Sequence, residues 1–129
     1  MLLEPIHSYL AEIESVVQAL EGVYIELYEE EILTPERANL RIRIRFYNGC
    51  LLEINESIIY EDSLKHLKYR YHSQGKQNQL LFRYDNTPHF RHLSTFPHHK
   101  HLPTEVVASE KPRVIDVLKE AEEIPTISH

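Results

Sequence analysis

The stretch that decides the fold covers residues 40–54 and reads LRIRIRFYNGCLLEI. Apolar and basic side chains alternate strictly up to residue 46, which predicts a strand with one buried and one open face. Asn48-Gly49 then gives a strong hairpin signal, because a two-residue type I′ turn requires positive φ at both central positions. We therefore expect an antiparallel hairpin whose return strand runs from Cys50 to about Tyr60, with room for a bend after Asn55.

The same alternation occurs on both sides of this hairpin. Upstream, VYIELYEE (residues 23–30) predicts a strand that ends at Thr34-Pro35, with Val23, Ile25 and Leu27 facing inward. Downstream, HLKYRYHS (66–73) and QLLFRYDN (79–86) predict a second hairpin around SQGKQNQ. The inward residues of that hairpin are then Leu67, Tyr69, Tyr71, Leu80, Phe82 and Tyr84.

Two segments have helical spacing of apolar residues, at 5–21 and at about 110–123. The Pro- and His-rich residues 86–108 are expected to be largely irregular, with a short strand near His98 to Leu102. The predicted fold class is α+β, in a single domain over residues 1–129. Its order is an N-terminal helix, an antiparallel meander of about five strands, a His/Pro-rich loop and a C-terminal helix.

The charge is unevenly distributed along the 129 residues, whose net charge is -6. Residues 1–35 contain eight acidic residues and no Lys or Arg, whereas residues 36–113 contain thirteen Lys or Arg and eight acidic residues. No apolar run approaches the roughly 20 residues of a membrane span, and the first residues lack the features of a signal peptide. The single cysteine, Cys50, excludes an internal disulfide and a Cys-based zinc site, and we expect a cytoplasmic protein.

Period-2 alternation places one set of basic side chains on the open face of the predicted sheet: Arg41, Arg43, Arg45, His66, Lys68, Arg70, His72 and Arg83. Such a surface can bind the phosphates of a nucleic acid, and Tyr or His rings can stack on bases. The residues predicted to contact nucleic acid are Arg41, Arg43, Arg45, Lys68, Arg70, Tyr71 and His72. The alternative is a solvated face on which Glu26, Glu30 and Glu53 pair with the arginines.

Four of the nine histidines lie in HLSTFPHHKHLP (92–103). One use of them is metal-independent RNA cleavage, in which His98, His99 and His101 supply acid and base and Lys100 supplies charge. Three further residues would border that site: Arg83, Asp85 and His89.

A metal site is the other use of this segment. In an extended chain His99 and His101 point one way and His98 the other, so His99 and His101 form half of a metal site. His89 or His92, with a carboxylate such as Asp85, could complete it. Asp85 is the only acidic residue between Asp62 and Glu105. Because carboxylates are so scarce here, we expect no metal and no other cofactor.

Other catalytic signatures are absent. There is no G-x-S-x-G, and the three glycines are scattered, which excludes a glycine-rich phosphate loop. Cys50 follows a hairpin turn and is expected to be a packed strand residue.

Three blocks, YRYH (69–72), LFRYDNTPHFRHLSTFPHHKH (81–101) and VIDVLKEAEE (114–123), make the chain similar to the TumE family over about residues 20–125. That resemblance implies an intracellular toxin of a type II toxin–antitoxin module, neutralised by a cognate antitoxin. The helix and meander are also similar in outline to RelE/ParE-type toxins, some of which cleave mRNA.

The leading hypothesis is therefore a toxin that acts as an endoribonuclease, with RNA and an antitoxin as partners. A metal-dependent hydrolase or metal-binding protein using the same histidines is the alternative. A third hypothesis is a non-catalytic module that inhibits a protein target. No membrane partner is expected, and a homo-oligomer is compatible with each hypothesis.

Overall fold

A computed structural model describes residues 1–124. Its elements are α1 (Glu4–Gln18), β1 (Val23–Thr34), β2 (Arg37–Phe46), β3 (Leu51–Glu61), β4 (Ser63–Gln74), β5 (Leu80–Asp85), β6 (His99–His101), β7 (Val106–Ala108) and α2 (Val114–Glu122). The predicted α+β class and the terminal helices are confirmed. The single domain was predicted to extend to residue 129, and residues 125–129 lie outside the described part of the chain. No helix within residues 1–124 is both long and apolar enough to cross a membrane.

The seven strands form one antiparallel sheet in sequence order, from β1 at one edge to β7 at the other. The helices cover one face. Their buried residues Ile6, Leu10, Ile13, Val17, Val114, Val117, Leu118 and Ala121 join the inward residues of the strands in one core. Ile42 and Ile44 are at most 1% exposed, whereas Arg43 between them lies on the other face. The opposite face of the sheet is therefore open, as the alternation predicted.

The central hairpin is confirmed, but its turn differs from the predicted type. Of the two central turn residues, only Gly49 has a positive φ, at 92°, whereas a type I′ turn would require a positive φ at Asn48 as well. The loop is Tyr47 to Gly49, closed by the N–H of Phe46 donating to the carbonyl of Cys50 at 2.8 Å. The side chain of Asn48 accepts the N–H of Cys50 at 2.9 Å, which stabilises this longer loop.

The sheet has more strands than the five expected. The short strand predicted near residues 98–102 is confirmed as β6, which pairs with β5, and β7 then pairs with β6. The expectation of an irregular segment up to residue 108 was therefore wrong at its C-terminal end. Pairing with β5 satisfies backbone groups that an irregular segment would expose to water.

Two bulges change which side chains face the helices. Ser57 pairs with Lys68 and Ile58 with His66, so Leu67 has no partner and is 50% exposed, while His66 turns toward the helices. His66 was predicted on the open face, and that assignment was wrong.

The second bulge lies between Ile25 and Leu27 in β1. It brings Tyr28 into contact with the core, where Leu27 had been expected. A bulge places two residues opposite one, so the faces exchange beyond it.

Candidate functional site

The pairing registers align open-face side chains of neighbouring strands in rows. One row, from β2 to β6, consists of Arg41, Asn55, Arg70, Asp85 and His99. The next consists of Arg43, Glu53, His72, Arg83 and His101. Directly opposite residues on a sheet face have Cβ atoms about 4.5–5.5 Å apart, so members of a row can act together.

The two rows end in a pocket of about 320 Å³, here called the Asp85 pocket, which is lined by Arg70, Arg83, Asp85, Thr87, His89, Phe90, His99 and His101. Asp85 lies at its centre and is 5% exposed. Its Oδ1 lies 2.9 Å from Nε2 of His99, and its Oδ2 lies 3.4 Å from Nε2 of His101 and 3.5 Å from Nε of Arg83. The backbone N–H of Thr87 also donates to Oδ1, at 3.0 Å. Asp85 therefore contacts both histidines and one arginine, and its closest contact is with His99.

His99 is fixed from both sides of its ring. Nδ1 lies 2.9 Å from the carbonyl oxygen of Pro97, and this oxygen can only accept, so Nδ1 carries a proton. Nε2 faces the carboxylate of Asp85, which also accepts when ionised. Both ring nitrogens of His99 therefore lie 2.9 Å from an oxygen acceptor. With only 2% of its surface exposed, this side chain is held rigidly.

His101 has a different environment. Its side chain is partly exposed and its pKa is lowered, first by burial and next by the nearby cation of Arg83, with Asp85 acting in the opposite direction. A lowered pKa means that the imidazole is largely neutral near pH 7. His101 can therefore accept a proton from a bound molecule.

Phe90 was not identified from the sequence, although it forms one wall of the pocket. Its ring centroid lies 5.0 Å from that of His99 and 5.7 Å from that of His101. It has a φ of 58°, in the left-handed region that non-glycine residues rarely adopt. No local pattern predicts that conformation. The membership of Arg70 follows from strand pairing, because Arg70 is directly opposite Asp85.

His98 and Lys100 lie on the helix-covered face, away from the Asp85 pocket. Nδ1 of His98 is 2.8 Å from the hydroxyl of Tyr69, and the two rings stack. Nζ of Lys100 lies 2.6 Å from Oε2 of Glu120 in α2. Alternation along β6 separates both from His99 and His101. The catalytic set predicted from the sequence is thus divided: five members converge, and His98 and Lys100 do not.

The basic side chains predicted to contact nucleic acid differ in whether they already form ion pairs within the protein. Nε of Arg43 and Nε of Arg45 lie 2.9 and 3.0 Å from the carboxylate of Glu26, and Arg43 also contacts Glu53 at 3.4 Å. Arg41 is exposed, and its ion pair is longer: Nη1 lies 3.6 Å from Oε1 of Glu29. The alternative predicted from the sequence, a face on which glutamates pair with the arginines, therefore describes Arg43 and Arg45.

Lys68 and Arg70 have neither an ion pair nor a side-chain hydrogen bond to any residue between 1 and 124. His72, beside them, has its Nε2 2.9 Å from Oε1 of Gln74. Lys68 and Arg70 are thus the cations of the open face that can bind an external anion without breaking an internal contact.

Tyr71 does not lie on the open face. It is fully buried, and its hydroxyl donates to Glu56, a buried carboxylate that the sequence did not identify. Tyr9 donates to both carboxylate oxygens at 2.8 Å, and Nε2 of His66 lies 3.0 Å from Oε2. Burial and the charge of Glu56 raise the pKa of Tyr71. Tyr71 cannot contact RNA from this position.

A metal could bind in the Asp85 pocket through three residues. The ligating atoms of Asp85, His99 and His101 all lie within 4.8 Å of one another. The proton of His99 on Nδ1 is donated to a backbone carbonyl, which is how metal-binding histidines are usually oriented. His89 lines the same pocket but is not a member of this close group.

Comparison with known proteins identifies one family. The family model described as toxin TumE matches residues 13–126. No curated protein and no solved structure matches the chain, so the expected likeness to RelE/ParE-type toxins is not confirmed.

Proposed function

Because the chain belongs to the TumE family of toxins, we propose that it is the toxin of a type II toxin–antitoxin module and that it cleaves RNA at the Asp85 pocket without a metal ion. The observation that carries this proposal is the convergence of Asp85, His99, His101 and two arginines on the face that the helices leave open. Acid–base groups and fixed cations are the components that such a reaction needs.

The proposed reaction is an internal transfer at phosphorus. The ribose 2′-oxygen forms a bond to the adjacent phosphorus as the bond from phosphorus to the 5′-oxygen of the next nucleotide breaks. A base removes the 2′-hydroxyl proton, and an acid donates a proton to the leaving 5′-oxygen. The products are a 2′,3′-cyclic phosphate and a 5′-hydroxyl end. The reaction consumes no water and requires no metal ion.

The side chains of the Asp85 pocket take separate roles. His101 is the base, since its lowered pKa leaves it neutral near pH 7. His89, which is exposed at the rim of the pocket, is the acid. Arg83 and Arg70 stabilise the charge that develops on the phosphate. His99 is a positioning residue, because it is buried between Pro97 and Asp85.

The charge of the pocket favours an anionic ligand. Arg70 and Arg83 contribute two positive charges, and Asp85 is the one carboxylate among the residues that line it. A phosphate diester compensates this excess, whereas a divalent cation would increase it.

The acid limb of the pH–rate profile tests the assignment of the base. We expect kcat/KM for RNA cleavage to fall below an inflection that lies under the ordinary histidine pKa of about 6.5. The sign follows from the lowered pKa of His101, which must lose its proton to act as a base. Arg83→Gln should move the inflection to higher pH, since it removes a cation that lowers this pKa.

Lys119→Gln is the control for that shift, because Lys119 is an exposed residue of α2. Its profile should match that of the wild type. An inflection that does not move in Arg83→Gln would show that His101 is not the titrating base.

The second candidate function is that of a metal-dependent hydrolase. It is favoured by the close grouping of the three ligating atoms and by the orientation of His99. A metal held there would supply a Lewis acid, or a bound water of lowered pKa, next to Arg83.

Metal binding separates the two candidates. We expect protein purified without an affinity tag to contain well below one equivalent of zinc, nickel or manganese by elemental analysis, because the pocket is already cationic. Cleavage should persist in EDTA. One equivalent of metal that is lost in both His99→Ala and His101→Ala, together with EDTA-sensitive cleavage, would support the hydrolase instead.

The proposed partner is an antitoxin that covers the open face with an acidic or amphipathic segment. Lys68 and Arg70 are free to pair with it. Exposed charge pairs of this kind weaken with ionic strength.

The third hypothesis, inhibition of a protein target, is distinguished from RNA cleavage by expressing the chain without its antitoxin and mapping RNA 5′ ends as growth stops. Arrest without new 5′ ends would favour that hypothesis.

A further inference from the structure

A second pocket lies on the open face beside the Asp85 pocket. It has a volume of about 420 Å³ and is formed by β2, β3 and β4. The open-face residues that line it include Asn39, Arg41, Asn55, Ser57, Lys68 and Arg70. We call it the Asn55 pocket. Volumes of about 300–1,000 Å³ are typical of small-molecule sites, so it can hold one nucleotide unit.

Arg70 joins the two pockets, because it lines both of them. Its neighbours across the strands are Asn55 on one side and Asp85 on the other. An anion bound by Arg70 would therefore have the Asp85 pocket on one side and the Asn55 pocket on the other.

The side chains of the Asn55 pocket are available for binding. Among residues 1–124, Asn55 and Ser57 have no side-chain hydrogen-bond partner, and Lys68 has no ion pair. The two glutamates at this pocket are already engaged: Glu53 with Arg43 at 3.4 Å, and Glu56 with tyrosines beneath the helices. The pocket thus offers an amide, a hydroxyl and cations.

The pocket has no exposed aromatic ring on which a base could stack. Tyr69 borders it but is 1% exposed, and its ring stacks on Tyr71 and His98 on the helix side. Sequence-tolerant binding of single strands depends largely on such stacking. Binding in the Asn55 pocket must instead use hydrogen bonds, which distinguish one base from another.

We infer that the Asn55 pocket binds the nucleotide next to the scissile phosphate of single-stranded RNA and selects its base. This inference rests on the proposed function for the location of that phosphate. Asn55 and Ser57 contact the base edge, Lys68 contacts the backbone, and Arg70 holds the phosphate between the two pockets. The toxin would accordingly cleave at a preferred base.

The test uses the full-length protein and three 2′-O-methyl hexaribonucleotides, of A, C and U, with binding followed by fluorescence anisotropy. The 2′-O-methyl group removes the nucleophile, so binding is measured apart from cleavage. The wild type should bind one hexamer about tenfold more tightly than the others, which is the scale of one base contact. Asn55→Ala should reduce this preference to within about threefold of equality.

Lys68→Ala tests the backbone contact. It should weaken binding of all three hexamers about equally. The slope of the logarithm of the binding constant against the logarithm of the salt concentration should become shallower by about one. Lys76→Ala is the matched control, because Lys76 lies in the exposed turn between β4 and β5. It should bind as the wild type does.

Three results would overturn the inference: equal binding of the three hexamers by the wild type, an undiminished preference in Asn55→Ala, or a Lys68→Ala protein that matches Lys76→Ala. Each can occur while unmodified RNA is still cleaved, and the proposed function would then stand without this subsite. If the hexamers bind as expected but unmodified RNA is not cleaved, the subsite stands and the endoribonuclease proposal fails.

Discussion

Replacing His101 with Ala is expected to lower the rate of RNA cleavage by about 100-fold or more, the scale of a lost general base. The side chain is partly exposed on the open face of β6, so the fold should persist. The measurement is the cleavage rate of a defined RNA with and without EDTA, together with detection of 2′,3′-cyclic phosphate ends. Circular dichroism and thermal unfolding report on the fold.

His98→Ala is the matched control for that experiment. It removes the same type of side chain from the residue just before β6, but His98 lies on the helix-covered face against Tyr69. Cleavage should remain near the wild-type rate in this variant. If His98→Ala loses more activity than His101→Ala, the active site does not lie on the open face.

The second large effect concerns Tyr71, which the sequence indicated as a nucleic-acid contact. Tyr71→Ala is expected to lower the free energy of unfolding by about 3–5 kcal/mol, the usual cost of truncating a buried aromatic residue. The ring is fully buried and its hydroxyl donates to the buried carboxylate of Glu56. Tyr71→Phe removes only that donor and should cost about 1–3 kcal/mol. Urea denaturation measures both.

Tyr24→Ala is the control, since Tyr24 lies in edge strand β1 and is 70% exposed. Its stability should change by no more than about 1 kcal/mol, the span of strand propensities. A Tyr71→Ala protein with wild-type stability and weakened RNA binding would contradict the buried position and restore the contact predicted from the sequence.

Much of the fold was accessible from local pattern alone. Strict alternation from residue 40 to residue 46 assigned Ile42 and Ile44 to the core and Arg43 to the open face, as observed. The alternation along His98 to His101 likewise separated His99 and His101 from His98. These predictions succeeded because the side-chain period of a strand is a property of the backbone and needs no knowledge of distant residues.

Predictions that crossed a bulge failed. His66 was assigned to the open face by continuing the alternation of β4, but the unpaired Leu67 reverses the faces beyond it. Tyr28 entered the core for the same reason in β1. A bulge depends on how two strands pair, so the sequence of one strand does not reveal it.

By itself, the sequence determined the helices, the hairpins and the chemical character of the strand faces up to each bulge, because these follow from short-range periodicity and turn residues. The tertiary structure alone decided which groups act together. The pairing of Asp85 with His99 joins residues from the two ends of a long loop and brings two histidines, a carboxylate and Arg83 together. The same register directs Lys100 to Glu120 under α2. That register arises from the docking of β6 on β5, a contact between residues distant in the chain, and no local pattern encodes it.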